Sequence, residues 1–262
     1  IYNMTKEEHL EKLKIVLEAN NIDNVDEIVE KYKKRFVLAK DADMSDEEAI
    51  KILGDPEQVV KKYKKDNEEF HQEKTKTLYN LKINDAIIDE LTIKSCEGNK
   101  ITVDVDEELI DYLDIKQEGN SLTINDKISR SIFRKTRGSL EIMVGRDIYF
   151  DNFEINCVAT DTDIETINGN TVKIRLVNGD IDIDKVTCRL FNISLVSGDA
   201  DINYLKCNDL RANSVSGDIN IDYVDASFAK MDTVSGDFNA TGHIEEKRGS
   251  SISGDINFKE IK

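Results

Sequence analysis

No apolar run in this 262-residue sequence nears the length of a membrane-spanning helix. The amino terminus, charged from Lys6 through Lys14, holds no apolar segment of the kind that directs export. A cytoplasmic location is the expectation for the sequence as it stands. Its first residue is Ile with Met4 close behind, so a longer natural start, and with it envelope association, stays open. Cations are in deficit: 36 Lys and Arg stand against 53 Asp and Glu, a formal charge of -17. Direct binding of DNA or RNA depends on cations that neutralise phosphates, and the balance argues against it.

Cysteine is scarce too. Cys96, Cys157, Cys188 and Cys207 are too few and too scattered for a disulfide framework or for paired CxxC zinc knuckles, and read as small buried residues. The three histidines, His9, His71 and His243, stand alone in different regions. They offer nothing for a His-based metal or nucleophile site, and each is expected on the surface. Tryptophan is absent and proline occurs once. The remaining composition, 39% hydrophobic, is that of a folded chain with one or two domains.

The pattern that is present divides the chain in two: a small helical bundle over residues 1–72 and an all-β part over 76–262, an α+β protein with its classes in separate domains. Thr5-Lys6-Glu7-Glu8 and Ser45-Asp46-Glu47-Glu48 are capping boxes, in which the hydroxyl and the Glu carboxylate exchange hydrogen bonds with the first turn. Leu10, Leu13, Val16 and Leu17 share one helical face, and Val25, Ile28, Val29, Tyr32 and Phe36 another. Gly54-Asp55-Pro56 ends a third helix and starts a fourth carrying Val59, Val60 and Tyr63. Residues from Phe70 to Thr77 are expected to extend that last helix as a strut. Lys31, Lys33, Lys34 and Arg35, with Lys61, Lys62, Lys64 and Lys65, form two basic runs. They read either as a solvated face with intrahelical pairs or as a dock for an acidic partner.

The order MTKEEHLEKL, VDEIVEKYKKRF, MSDEEAIKILGDPEQVVKKY over residues 4–65 resembles the HAAS signalling domain of bacteria, most specifically from Ser45 through Pro56. The resemblance implies a docking module that accompanies PadR-type transcriptional regulators. Members of that family often precede membrane helices, and this sequence departs from them there.

Beyond residue 76, Leu81-Lys82-Ile83, Leu91-Thr92-Ile93, Ile101 to Val105, Leu113-Asp114-Ile115, Leu122-Thr123-Ile124 and Leu140-Glu141-Ile142 alternate apolar with polar, so each predicts a strand with one buried face. Glu97-Gly98-Asn99 and Glu118-Gly119-Asn120 read as turns. This segment is expected to cap the repetitive part of the chain beyond it.

From residue 158 to 262 the chain repeats every nineteen residues, at Val158, Val177, Val196, Val215 and Val234, with Ile252 one residue early. All units but the first open with the turn Val-Ser/Asn-Gly-Asp or its Ile variant. Aligned columns, Ile181, Ala200, Ile219, Phe238 and Ile256 in one and Ile183, Ile202, Ile221, Ala240 and Phe258 in the next, predict a β-helix-like solenoid whose short strands bury nothing until stacked.

The same stacking predicts a ladder of carboxylates, Asp180, Asp199, Asp218, Asp237 and Asp255, about 4.8 Å apart. At that spacing adjacent pairs repel by about 1 kcal/mol in water and by about 3–4 kcal/mol at an effective dielectric of 20. Backbone N–H groups can offset this; a row of Ca²⁺ or other hard cations is the sharper reading. Cys188 and Cys207 fall on adjacent rungs, where parallel side chains make a poor disulfide torsion, so free thiols are expected.

These V-S-G-D-I-x-I units and the strands before them, over residues 78–262, resemble a bacterial family of β-strand-repeat proteins labelled putative adhesins, which often pair with the helical domain above. The family brings no catalytic residues to carry over. The sequence therefore predicts a non-enzymatic interaction or signalling-accessory protein, with no cofactor and with homo-oligomers through solenoid edges as one way to associate. The alternatives are a carbohydrate-active β-helix enzyme, for which Arg175 and Arg211 are the nearest irregularities in the repeat, and a cation-binding stalk on the Asp ladder.

Overall fold

The computed structural model describes residues 4–20, 22, 25–41, 44–61, 77–86, 88–127 and 138–261. The chain divides into two compact units, residues 1–75 and 76–262. In the first, both capping boxes form: Thr5 and Glu8 exchange their bonds ahead of α1 (Lys6–Ala19), and Ser45 and Glu48 do so ahead of α3 (Asp46–Leu53). Between them in sequence runs α2 (Val25–Asp41). Gly54, at φ +83°, ends α3; the Asp55 carboxylate then accepts the N–H groups of Glu57 and Gln58, and helix resumes over 56–61. Leu13, Leu17, Ile28, Tyr32, Val59 and Val60 form the core of this unit. No described helix is long and apolar enough to cross a membrane.

His9 corrects the surface expectation. It is fully buried, its ring edge-on to Phe36 with centroids 5.2 Å apart, and its Nε2 donates to the Gly54 carbonyl at 2.8 Å. It shares a face with Leu13 and Leu17 through four-residue steps, so the helix carries it inward whatever its polarity. The strut over residues 70–76, His71, Tyr63 and the basic residues Lys62, Lys64 and Lys65 lie outside the described residues.

In the second unit, β8 (Asp161–Asn178), β9 (Ile181–Leu195), β10 (Ala200–Ser214), β11 (Ile219–Thr233), β12 (Phe238–Ser251) and β13 (Ile256–Glu260) stack in parallel, each pairing with the next. The expected columns form: Ile183 pairs with Ile202, Ile202 with Ile221, Ile221 with Ala240 and Ala240 with Phe258. This is a β-solenoid of about six turns.

Each rung is one long bent strand, not the separate short strands the sequence suggests. In β9, inward Ile181 and Ile183 are followed by outward Asp184 and Lys185, and inward Val186 and Cys188 by the unburied pair Arg189 and Leu190. A period-two strand can face outward twice in succession only where the chain bends. Two bends and the turn thus give the rungs from β8 to β12 three sides, while β13 covers the first side alone.

The segment before residue 158 does more than cap. On the third side, β7 (Tyr149–Ala159), β1 (Leu78–Ala86) and β5 (Ser121–Asp126) continue the parallel stack, with Ile155 pairing with Ile174 and with Ile83. Antiparallel β4 (Leu113–Glu118) ends it. On the first side, β2 (Glu90–Cys96) and β6 (Ser139–Gly145) extend the stack and antiparallel β3 (Ile101–Val105) closes it.

The far end closes by composition. Where earlier rungs place Phe191, Leu210 and Ala229, β12 places Lys247; where they place Ile193, Ala212 and Met231, it places Gly249. On the third side, which β13 does not reach, β12 thus ends the stack with polar and small residues at core positions and offers no apolar edge there.

Candidate functional site

The turn column forms as a ladder in which each carboxylate holds the next rung. The N–H of Asp199 donates to Asp180 Oδ1 at 2.8 Å, that of Asp218 to Asp199 Oδ1 at 2.8 Å, that of Asp237 to Asp218 Oδ1 at 2.7 Å and that of Asp255 to Asp237 Oδ1 at 2.9 Å. Asp161, ahead of the first glycine, starts the series by accepting from Asp180 N–H. One oxygen of each acid below Asp255 is thus engaged by a backbone donor, which offsets the mutual repulsion. Among the described residues, no group of three or more His, Cys, Asp or Glu side chains is arranged to hold a metal ion.

Two residues further along each rung runs a second column, Asp163, Asp182, Asp201, Asn220, Asn239 and Asn257. Its upper half is a side-chain amide ladder: Asn220 Nδ2 donates to Asp201 Oδ1, Asn239 to Asn220 and Asn257 to Asn239, at 2.9–3.1 Å. Its lower half is acid on acid. Partial burial, reinforced by Asp201, Asp163, Asp180 and Asp184, lifts the Asp182 carboxyl above its ordinary value. Nothing in the repeat turn itself pointed to this column.

The third side mixes both signs, with cations in excess. Its outward column reads Lys82, Glu154, Lys173, Asn192, Arg211, Lys230 and Arg248, with Arg175 beside it. Three of these cations are tied to carboxylates two residues away: Arg211 to Asp209 at 3.0 Å, Lys230 to Asp232 at 2.7 Å and Arg248 to Glu246 at 2.9 Å. Arg175 and Arg211, the two irregularities legible in the repeat, therefore belong to an exposed sheet face and do not converge on a cleft.

Between the acidic and basic sides stands an apolar ridge. Val158, Val177, Val196, Val215 and Val234 are each 40–46% exposed and Ile252 82%, stacked along the turn. The serines beside them hold the rungs: the hydroxyls of Ser216, Ser235 and Ser253 donate to the carbonyls of Val196, Val215 and Val234.

The second side ends at β8 while its neighbours continue below it, and the notch beneath it is a cleft of about 410 Å³. Val144, Ile148 and Phe150 line it with apolar surface, and Arg146, Glu165, Asp184 and Lys185 with charge. Glu165 is committed, accepting Ser95 N–H at 2.8 Å. Above it the corner continues as Lys185 over the Tyr204 ring, 5.5 Å to its centroid, and Tyr204 stacked on Tyr223 at 5.3 Å.

Cys157, Cys188 and Cys207 are buried and Cys96 is half-buried, none of them in a disulfide. Burial pushes the Cys188 and Cys207 thiols well above their ordinary range, and the two residues pair across adjacent rungs. His243 is exposed, 3.6 Å from Glu260.

The sequence matches the family model described as Toastrack DUF4097 over residues 45–261, a span that begins within the helical unit. No curated relative matches it. Solved structures similar to it include a putative adhesin from Bacteroides fragilis (14% identity, 71% of this chain and 94% of that chain, TM-score 0.47). A putative lipid binding protein from Parabacteroides distasonis shows 16% identity over 71% of this chain and 94% of that chain, TM-score 0.38. For a putative cell adhesion protein from Clostridium sporogenes the values are 13%, 71%, 94% and 0.36.

Proposed function

The chain belongs to the Toastrack DUF4097 family, and from that premise we propose that it is a non-enzymatic binding scaffold, adhesin-like in its β unit, with its helical unit docking a protein regulator. The observation that carries this reading is the sorting of outward side chains by column. The repeat presents an acidic side, an apolar ridge and a basic side, each several rungs tall, as a rigid surface suited to extended partners. The charged residues follow the repeat, whereas a reacting pair would break it on one or two rungs.

The helical unit, with its resemblance to the HAAS signalling domain, is read as the regulatory end. Ile15 and Ile52 stand 57% and 70% exposed on α1 and α3, apolar surface that a PadR-type regulator or another protein would cover. The basic residues described there are partly committed, Lys33 to Glu30 and Arg35 over the Tyr32 ring, which favours apolar contact over charge as the docking force.

The test takes the purified full chain through a panel of polysaccharides and through titration with a PadR-type regulator. Saturable binding without product release supports the reading. Turnover of any polysaccharide overturns it.

A further inference from the structure

We propose that the solenoid associates side by side with a second copy of itself, the acidic side of one molecule lying on the basic side of the next. The inference rests on reading the β unit as a binding scaffold and names one of its partners.

Charge complementarity is the first argument. One side presents Asp163, Asp182, Asp201 and Asp184; the other presents Lys173, Arg175, Arg211, Lys230 and Arg248, which outnumber the carboxylates Asp209, Asp232 and Glu246 that pair with three of them. A chain of formal charge -17 that nevertheless leaves one side with an excess of cations carries a complement to its own acidic side.

Periodicity is the second. Both sides repeat at the rung spacing of about 4.8 Å, so one lateral registry brings several pairs within reach at once. A polyanion of different repeat would meet one or two of these cations and then run against Glu154 and Asp232.

The third argument is the ridge. Val177, Val196, Val215 and Val234 border both charged sides and stay exposed in the single molecule, apolar surface that contact along either side would begin to cover. The crowding of Asp182 by its acidic neighbours is relieved when a cation from another molecule approaches.

The contact is small. Five rungs by three columns cover roughly 19 by 14 Å, which places the interface among weak, transient ones. Because its two surfaces differ, it is heterologous, and repetition gives rings or filaments rather than a closed pair.

Sedimentation velocity of the full chain, from about ten to several hundred micromolar and in 20 mM and 1 M NaCl, tests this. Concentration-dependent association that weakens in 1 M NaCl is expected. Arg211→Glu with Lys230→Glu makes both sides acidic, and Asp182→Lys with Asp201→Lys places cations in the middle of the acidic side. Each variant should associate at least about tenfold more weakly than the parent, and a mixture of the two should recover association. Thermal melts of both variants establish that they are folded.

A parent that is monomeric throughout overturns the inference while leaving the binding reading intact. So does association that strengthens with salt, which would assign it to the apolar ridge alone, or a folded mixture that fails to recover. Adsorption of the parent to anionic vesicles or heparin, lost in the Arg211→Glu variant with no self-association, would give the basic side to a polyanion and overturn the inference equally.

Discussion

Gly217 lies against the carbonyl oxygen of Gly198 on the neighbouring rung, with no room for a β-carbon between them. The glycines of the turn are thus held chiefly by close approach: Gly198 has a positive φ of 107°, but Gly217 and Gly236, equally crowded, do not adopt one. Gly217→Ala must push two rungs apart and is expected to cost about 2–4 kcal/mol, read as a lower urea midpoint. Gly98, at φ +93° with open space around it, should lose only about 1–2 kcal/mol on the same change.

Asp182→Asn is expected to stabilise the β unit at neutral pH. The folded-state pKa of Asp182 is raised, so the folded chain binds more protons than the unfolded one as this carboxyl titrates. Stability falls as pH rises through that window, and the penalty is full above it. Melting temperatures of parent and variant should therefore differ at pH 7 and converge below the ordinary carboxylate range. A variant less stable at pH 7 would show that Asp182 is kept for a bond it makes and not despite repulsion.

Cys188 and Cys207 should resist thiol reagents in the native protein. Burial disfavours their thiolates, and only the thiolate reacts. With Ellman's reagent, half-buried Cys96 is expected to label first, and the buried thiols only at the rate of unfolding. Under mild oxidant the pair should stay unlinked, as mass spectrometry of the intact chain would show.

His9→Ala should act on the helical unit alone. It removes the bond to the Gly54 carbonyl and leaves a cavity beside Phe36, a loss of about 2–4 kcal/mol. Hydrogen exchange should accelerate in α1 to α3 and stay unchanged in β8 to β12. Slower or equal exchange in α1 would mean that the unpartnered Nδ1 costs as much as the ring contributes.

Much of the solenoid was legible in advance because Ile183, Ile202 and Ile221 recur at a fixed interval and can bury their side chains only against each other. Below Val158 the alternation revealed the strands, from Leu81-Lys82-Ile83 to Leu140-Glu141-Ile142, but not their order. There β1 inserts between β7 and β5, so neighbours in the stack are distant in the chain and share no spacing.

The candidate surfaces divide the same way. The turn carboxylates announced themselves through the V-S-G-D repeat, whereas the third side is written in no motif: Lys173, Arg211 and Lys230 fall on the nineteen-residue interval, but only the bends show that they face outward on one side. The valines mark the interval in sequence, yet their identity alone does not reveal that the turn points them to solvent. His9 misleads for the converse reason, since a polar residue was expected outside and its helical position overrides that.

The in-register stack also makes this architecture elastic in length. Excising residues 200–218 would join Asp199 to Ile219 and set Ile181 and Ile183 against Ile219 and Ile221, shortening the axis by about 4.8 Å while every interior column stays matched. Duplicating the same segment would lengthen it by the same step. Such a gene can therefore gain or lose whole storeys by recombination between its own copies, without having to invent a new interior.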